Sequence, residues 1–186
     1  MRHRQTTWRL PSRVHDPPPE EPIPPPGITL RPVRDEDEPF LLGLYASVRA
    51  PELAAVPWTD EQKAEFVAQQ FAAQRDHWRA NYTNTTFDVV ERDGLPIGRL
   101  YVARWEKEIR VVDIALLPGF RSGGVGTAFF RELFAEGDAS ARPVTIHVEV
   151  FNPARRLYER LGFVLKEEKG VYLLMQRPVG GTSTPA

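Results

Sequence analysis

The run from Val112 to Gly126, VDIALLPGFRSGGVG, constrains the fold of this chain more than any other segment. An apolar strand reaches Pro118, and a loop of Arg121, Ser122, Gly123, Gly124 and Gly126 follows. The next apolar positions, Val125, Phe129, Leu133 and Phe134, recur at helical spacing up to Gly137, where the helix is expected to end. Small residues in the loop let the backbone turn so that several N–H groups converge on one spot. The helix start adds its unpaired N–H groups and the positive end of its dipole. A strand, loop and helix in this order suit a diphosphate held mostly by main chain; the plainer reading is a glycine-rich turn.

Two common phosphate loops fit poorly. The nucleotide-triphosphate loop needs Lys followed by Ser or Thr after its last glycine, whereas Thr127-Ala128 follows Gly126. A dinucleotide fingerprint starting at Gly124 and Gly126 would place Phe129 where close helix-to-strand packing needs a third glycine. What remains, R-x-x-G-x-G after a strand ending in L-L-P, resembles the acyl-coenzyme A pyrophosphate loop of the GNAT-type N-acetyltransferase superfamily. A second segment, PVTIHVEVFNPARRLYERLGF from Pro143 to Phe163, resembles that family's other signature: a strand, an Asn, a helix carrying Ala and Leu-Tyr, then Gly-Phe. The resemblance runs from about Ile28 to Pro178 and is strongest over Val112 to Phe163.

The remaining chain reads as alternating elements. Ile28 to Val33 forms a first strand, and Asp35-x-x-Glu38 reads as a capping box opening a helix with Phe40, Leu41, Leu44, Tyr45 and Val48 on one face. Thr59-x-x-Gln62 opens a second helix with Phe66, Val67, Phe71 and Trp78. Strands over Thr85 to Glu91 and Pro96 to Trp105 flank Arg92-Asp93-Gly94, a hairpin signal, and Glu108 to Leu117 continues the sheet. After the loop helix and a strand from Val144 to Val150, Asn152 caps a helix with Pro153 in its first turn and Gly162 just past its end. Strands over Phe163 to Glu167 and Val171 to Arg177 close the sheet. This order matches what the resemblance implies: an α+β fold, three-layered like α/β/α, with a mixed, mostly antiparallel sheet flanked by helices.

Composition sets the bounds. A chain of 186 residues, 41% hydrophobic and 26% charged, is one globular domain with tails. With no cysteine it has no disulfide, no Cys nucleophile and no Cys-based zinc site, and its four histidines share no ligand spacing, so no metal is expected. A net charge of −1 argues against a general nucleic-acid surface. No segment reaches the apolar length of a membrane span or forms a secretion signal, which makes the cytoplasm the default location. Residues 1–27 form a Pro-rich arm, with eight prolines between Pro11 and Gly27, residues 28–178 the folded domain, and residues 179–186 a polar tail.

By the resemblance, acetyl-CoA is the co-substrate. Its diphosphate would lie on Arg121, Ser122, Gly123, Gly124, Val125, Gly126 and Thr127, and its pantetheine arm along main-chain groups of Ile114, Leu116 and Leu117. Asn152 would touch the pantetheine or serve only as a helix cap. Its spacing to Tyr158 is one residue shorter than in many family members. Tyr158 matches the tyrosine that protonates the departing thiolate, although Ala154, Leu157, Tyr158 and Leu161 also form a stripe suited to core packing. For the base that deprotonates the amine, His147 and Glu149 share one face of their strand and Asp113 is polar inside an apolar strand. His77, Trp78, Tyr82, Tyr101 and Trp105 are candidates for an acceptor pocket, with Glu106 or Glu108 attracting a cationic amine. The implied activity is direct transfer of an acetyl group from acetyl-CoA to a primary amine, on a small molecule or a peptide, and a homodimer is compatible with it. The alternative is a noncatalytic acyl-CoA binding or regulatory module.

Overall fold

The computed structural model describes residues 25–181. The Pro-rich arm therefore lies almost wholly outside the described residues, as does most of the expected tail. Among the described residues seven strands form one sheet in the order β1-β2-β3-β4-β5-β7-β6. They are β1 (Ile28–Pro32), β2 (Thr85–Arg92), β3 (Leu95–Arg104), β4 (Ile109–Leu116), β5 (Val144–Glu149), β6 (Val164–Lys169) and β7 (Tyr172–Arg177). Every neighbouring pair is antiparallel except β4 and β5, which are joined through a helix, as a parallel crossover requires.

That helix, α3 (Val125–Ala139), lies on one face of the sheet with α4 (Arg155–Arg160). Its apolar stripe, Val125, Phe129, Phe130, Leu133 and Phe134, packs on the inward residues of the strands, among them Leu100, Val102, Ile109, Val111, Val144, Ile146, Val148 and Met175. Phe130 is 1% exposed, and burying such a side chain contributes about 1.5–3 kcal/mol. The helix runs past Gly137, contrary to the expected stop. A Cβ at Gly137 would stand 2.7 Å from the Arg142 carbonyl, so this glycine serves the close return of the chain into β5 rather than a helix end.

The other face carries α1 (Glu38–Ala54) and α2 (Asp60–Asn81), whose Leu41, Tyr45, Leu53, Val67 and Phe71 form a second apolar cluster. The start of α2 follows its sequence signal: Thr59 Oγ1 accepts from Gln62 N–H at 3.3 Å and Gln62 Oε1 accepts from Thr59 N–H at 2.9 Å. The start of α1 does not. Asp37, and not Asp35 or Glu38, anchors the turn over Asp35–Asp37: its carboxylate accepts Arg34 N–H at 2.8 Å and two bonds from the Arg31 guanidinium at 2.7 Å. Arg31 holds the Asp37 carboxyl below the ordinary carboxylate range. The hairpin signal holds as well, with Asp93 (φ 51°) and Gly94 (φ 80°) turning Arg92 onto Leu95. No helix among the described residues is long and apolar enough to cross a membrane.

Candidate active site

The parallel strands β4 and β5 are in register at only three positions: Ile109 with Val144, Arg110 with Thr145, and Val111 with Ile146. Beyond Val111, β4 stays on β3, with Leu100 opposite Ile114, Arg99 opposite Ala115 and Gly98 opposite Leu116, while β5 turns to β7. A bulge at Val112, between the pairs Val102–Val111 and Tyr101–Asp113, marks the parting. Leu117 N–H donates to Ile97 O at 2.8 Å. By the alternation of an antiparallel ladder, the N–H and C=O groups of Ile114 and Leu116 therefore point away from β3, into the gap that β5 has left. Arg121 Nε donates to Leu116 O at 2.8 Å, in agreement with that direction. Gly98 keeps β4 in place: a Cβ there would stand 2.4 Å from Ala115 O.

The glycine loop lies at the mouth of this gap. After a tight turn over Pro118–Phe120, Ser122 (φ 63°) and Gly124 (φ 81°) both take left-handed angles, and α3 begins at Val125. The first helical bond is Ala128 N–H to Gly124 O, 2.9 Å. The N–H groups of Val125, Gly126 and Thr127 thus lack an acceptor in their own helix, at its positive end. A Cβ on Gly126 would meet only Ile114 Cδ1, at 3.8 Å, so the glycine leaves open the space between the helix start and the exposed edge of β4. Unpaired N–H groups, a bare helix face and an unpaired strand edge fit a diphosphate joined to an extended arm.

Asn152 and Tyr158 come from the segment after β5. Asn152 Oδ1 accepts Ala154 N–H at 2.9 Å in a turn ahead of the helix, but Ala154 and not Asn152 stands at the cap, and helix begins only at Arg155, so Pro153 also lies before the first turn. Gly162 (φ 89°) and Phe163 close α4, Phe163 N–H donating to Tyr158 O at 3.0 Å. Tyr158 is 5% exposed, its ring 5.4 Å from that of Phe130 and 5.8 Å from that of Phe163. Burial, reinforced by the negative charge of Asp113, raises its pKa and keeps the phenol protonated at neutral pH.

The three candidate bases differ in what already holds them. Asp113 Oδ2 accepts from Arg99 Nε at 2.7 Å, and Arg99, 3% exposed, lies within 5.2 Å and 5.3 Å of the Trp78 and Tyr101 ring centroids. His147 Nδ1 stands 3.0 Å from Arg110 Nη1. A guanidinium only donates, so Nδ1 accepts and the ring proton sits on Nε2. The same Arg110 donates to Thr145 Oγ1 at 2.6 Å and Glu108 Oε1 at 2.6 Å, and lies over the Trp105 ring. Burial, then the Arg110 charge, lowers the His147 pKa. Glu149, half-buried at the end of β5, forms no side-chain hydrogen bond or ion pair among the described residues.

The expected acceptor pocket divides in two. Trp78 and Tyr101, ring centroids 5.6 Å apart, line a cavity between α1, α2 and β3. His77, Tyr82 and Trp105 instead form a row at the end of α2, His77 edge-on to Tyr82 and Tyr82 stacked on Trp105, and the Trp105 indole N–H donates to Thr83 O at 3.0 Å. Glu108 is bound to Arg110, so it is not a free lure for a cationic amine. The cavity beside Trp78 is rich in arginine, which the sequence pattern did not signal because its residues come from four separate segments.

Residues 83–165, from just before β2 into β6, match the family model for the acetyltransferase (GNAT) domain. No curated protein is similar enough in sequence to match. Among solved structures, the fold is similar to the PaiA N-acetyltransferase of Thermoplasma acidophilum in complex with coenzyme A: TM-score 0.62, 14% identity, 81% of this chain and 98% of that one. It is similar as well to an acetyltransferase of Thermus thermophilus (TM-score 0.60, 18% identity, 82% and 97%). A GNAT family acetyltransferase of Elizabethkingia anophelis with acetyl-CoA bound gives a TM-score of 0.53 at 15% identity, over 83% and 100%. The matched residues hold both parted strands and the glycine loop between them, so the similarity to the acetyltransferase (GNAT) domain covers the site itself.

Proposed function

We propose that the protein transfers the acetyl group of acetyl-CoA directly to a primary amine, of a small molecule or a peptide, with both substrates bound at once. The gap between β4 and β5, opening beside the unpaired N–H groups of Val125, Gly126 and Thr127, carries this reading. The N–H groups of residues 123–127, with Ser122 and Arg121, would hold the diphosphate; the exposed groups of Ile114 and Leu116, with the free amide nitrogen of Asn152, would hold the pantetheine, whereas Leu117, expected to share that role, has its N–H taken by Ile97 O and its carbonyl by Phe120 N–H. When bound, acetyl-CoA supplies the activated thioester carbonyl. The absence of cysteine supports direct attack over an acyl-thioester relay through the protein.

In this reading Ile114 N–H faces the oxygen on which negative charge develops, and Tyr158, protonated at neutral pH, donates to the departing sulfur. Glu149 takes the amine proton, because its carboxylate is free while Asp113 is tied to Arg99 and the His147 lone pair is engaged by Arg110. The test is thiol release from acetyl-CoA across a panel of primary amines. Amine-dependent release is expected; tight acetyl-CoA binding without it would make the domain a binding module.

A further inference from the structure

The arginine-rich cavity measures about 50 Å³, which at roughly 10–15 Å³ for each water-sized group admits about four non-hydrogen atoms. That is room for a small head group. Its floor is Arg99 and Tyr101 of β3 with Trp78 of α2; its rim includes Arg34, just after β1, and Arg79 on α2. Four arginines line it, and two are neutralised from within the protein: Arg75 by Glu38 (2.6 Å) and Asp76 (3.0 Å), Arg99 by Asp113 (2.7 Å). Arg34 and Arg79 pair with no carboxylate among the described residues. Arg79 follows Trp78 on α2 and is exposed at the mouth of the same cavity. One unpaired acidic residue, Asp35, shares the rim and opposes the two free cations. Two free guanidinium groups over a space of this size match a carboxylate.

The place of the cavity sets how far that carboxylate lies from the acetyl donor. Arg99 and Tyr101 register with Ala115 and Asp113, so the floor is one strand from β4, and the gap opens on the far edge of β4. Within the plane of the sheet that separation is between one and two strand spacings, about 5–10 Å, and the height of the cavity above the sheet adds to it. With bonds of about 1.5 Å, an amine at the gap and a carboxylate in the cavity are at least about four bonds apart. Resting on the acetyl-transfer reading, we propose that the acceptor is an ω-amino carboxylate, its acid group bound by Arg34 and Arg79 and its amine delivered to the gap. An α-amino acid is too short to span both points.

The test compares 6-aminohexanoate, hexylamine and alanine. Calorimetry in the presence of coenzyme A should show 6-aminohexanoate binding at least tenfold more tightly than hexylamine or alanine. That ratio should fall toward one in Arg34→Gln/Arg79→Gln, at an unchanged melting temperature, and should grow in Asp35→Asn. Equal affinity for 6-aminohexanoate and hexylamine, or a preference that survives the double substitution, would overturn the proposal. Thiol release with the same compounds reports separately on acetyl transfer: release from hexylamine without preference for the acid would sink this inference and leave the transferase reading standing.

Discussion

Arg110 Nη1 lies 3.0 Å from His147 Nδ1 and fixes which ring nitrogen carries the proton. Arg110 stands on the middle rung of the β4–β5 pair, opposite Thr145, and His147 is the first residue of β5 beyond the last rung, Val111 opposite Ile146. Protonation of His147 would put two cations against each other where the strands part. The folded pKa lies below the ordinary 6.5, so the unfolded chain binds the proton more readily. The contribution of this pair to stability is therefore full above pH 6.5 and is lost as pH falls from there toward the lower folded value. Melting temperature followed from pH 7.5 to 5 should drop more steeply in the native protein than in His147→Gln, whose amide still accepts from Arg110.

The same bond separates His147 from Glu149 in catalysis. Glu149→Gln should lower turnover by roughly 10²–10⁴ with coenzyme affinity retained, whereas His147→Gln should keep most of its turnover. Steady-state rates on both variants with one amine decide this. The reverse order of effects would restore His147 as the base.

Asp113 is expected to act through structure. Arg99 is nearly sealed from water, and removing its carboxylate partner leaves a buried charge uncompensated, at a cost of about 3–5 kcal/mol. Asp113→Ala should lose stability of that order in urea unfolding, together with the Trp78 and Tyr101 contacts that Arg99 organises. A variant of native stability that has lost its turnover would instead make Asp113 a catalytic group.

The parts of this molecule written in short stretches of chain were legible in the sequence. Thr59 and Gln62 are three residues apart, Asp93-Gly94 is a turn by itself, and the loop from Arg121 to Thr127 runs straight into its helix; each carries its own physical reason. Asp37 was missed because its anchor, Arg31, is bridged in turn to Glu91 across the β1–β2 pair. The engagement of His147 depends on Arg110, which comes beside it only through the parallel pairing of β4 and β5. The arginine cavity needs β1, β3 and both helices of the other face to be assembled first. Gly137 misled for a related reason: its clash partner, Arg142 O, belongs to the returning chain and not to the helix.

In the loop, Gly124 and Gly126 answer to different physics. Gly124 needs its left-handed φ of 81°, whereas Gly126 has ordinary helical geometry and is bare because a side chain would project toward Ile114. Gly126→Val should therefore fold and still lose acetyl-CoA affinity by at least about 1–3 kcal/mol, the scale of lost buried hydrogen bonds. Gly124→Val should lose stability as well. Unchanged calorimetric affinity in a folded Gly126→Val variant would remove the diphosphate from this loop.

Tyr158→Phe keeps the ring that packs on Phe130 and Phe163 and removes only the hydroxyl. Melting temperature and acetyl-CoA affinity should hold while turnover falls by about 10²–10⁴, toward the low end because a thiol of pKa about 8.5 leaves readily as thiolate. Turnover equal to that of the native protein would make Tyr158 a core residue alone.

If an amine attacks acetyl-CoA directly while both occupy the gap between β4 and β5, no acetylated protein intermediate forms. Initial rates of thiol release, measured over a matrix of acetyl-CoA and amine concentrations, test this most directly. Lines that intersect in the double-reciprocal plot, with release dependent on the amine, are the predicted result. Parallel lines would require an acetylated protein intermediate, and release indifferent to the amine would remove acetyl transfer altogether; either would contradict the account.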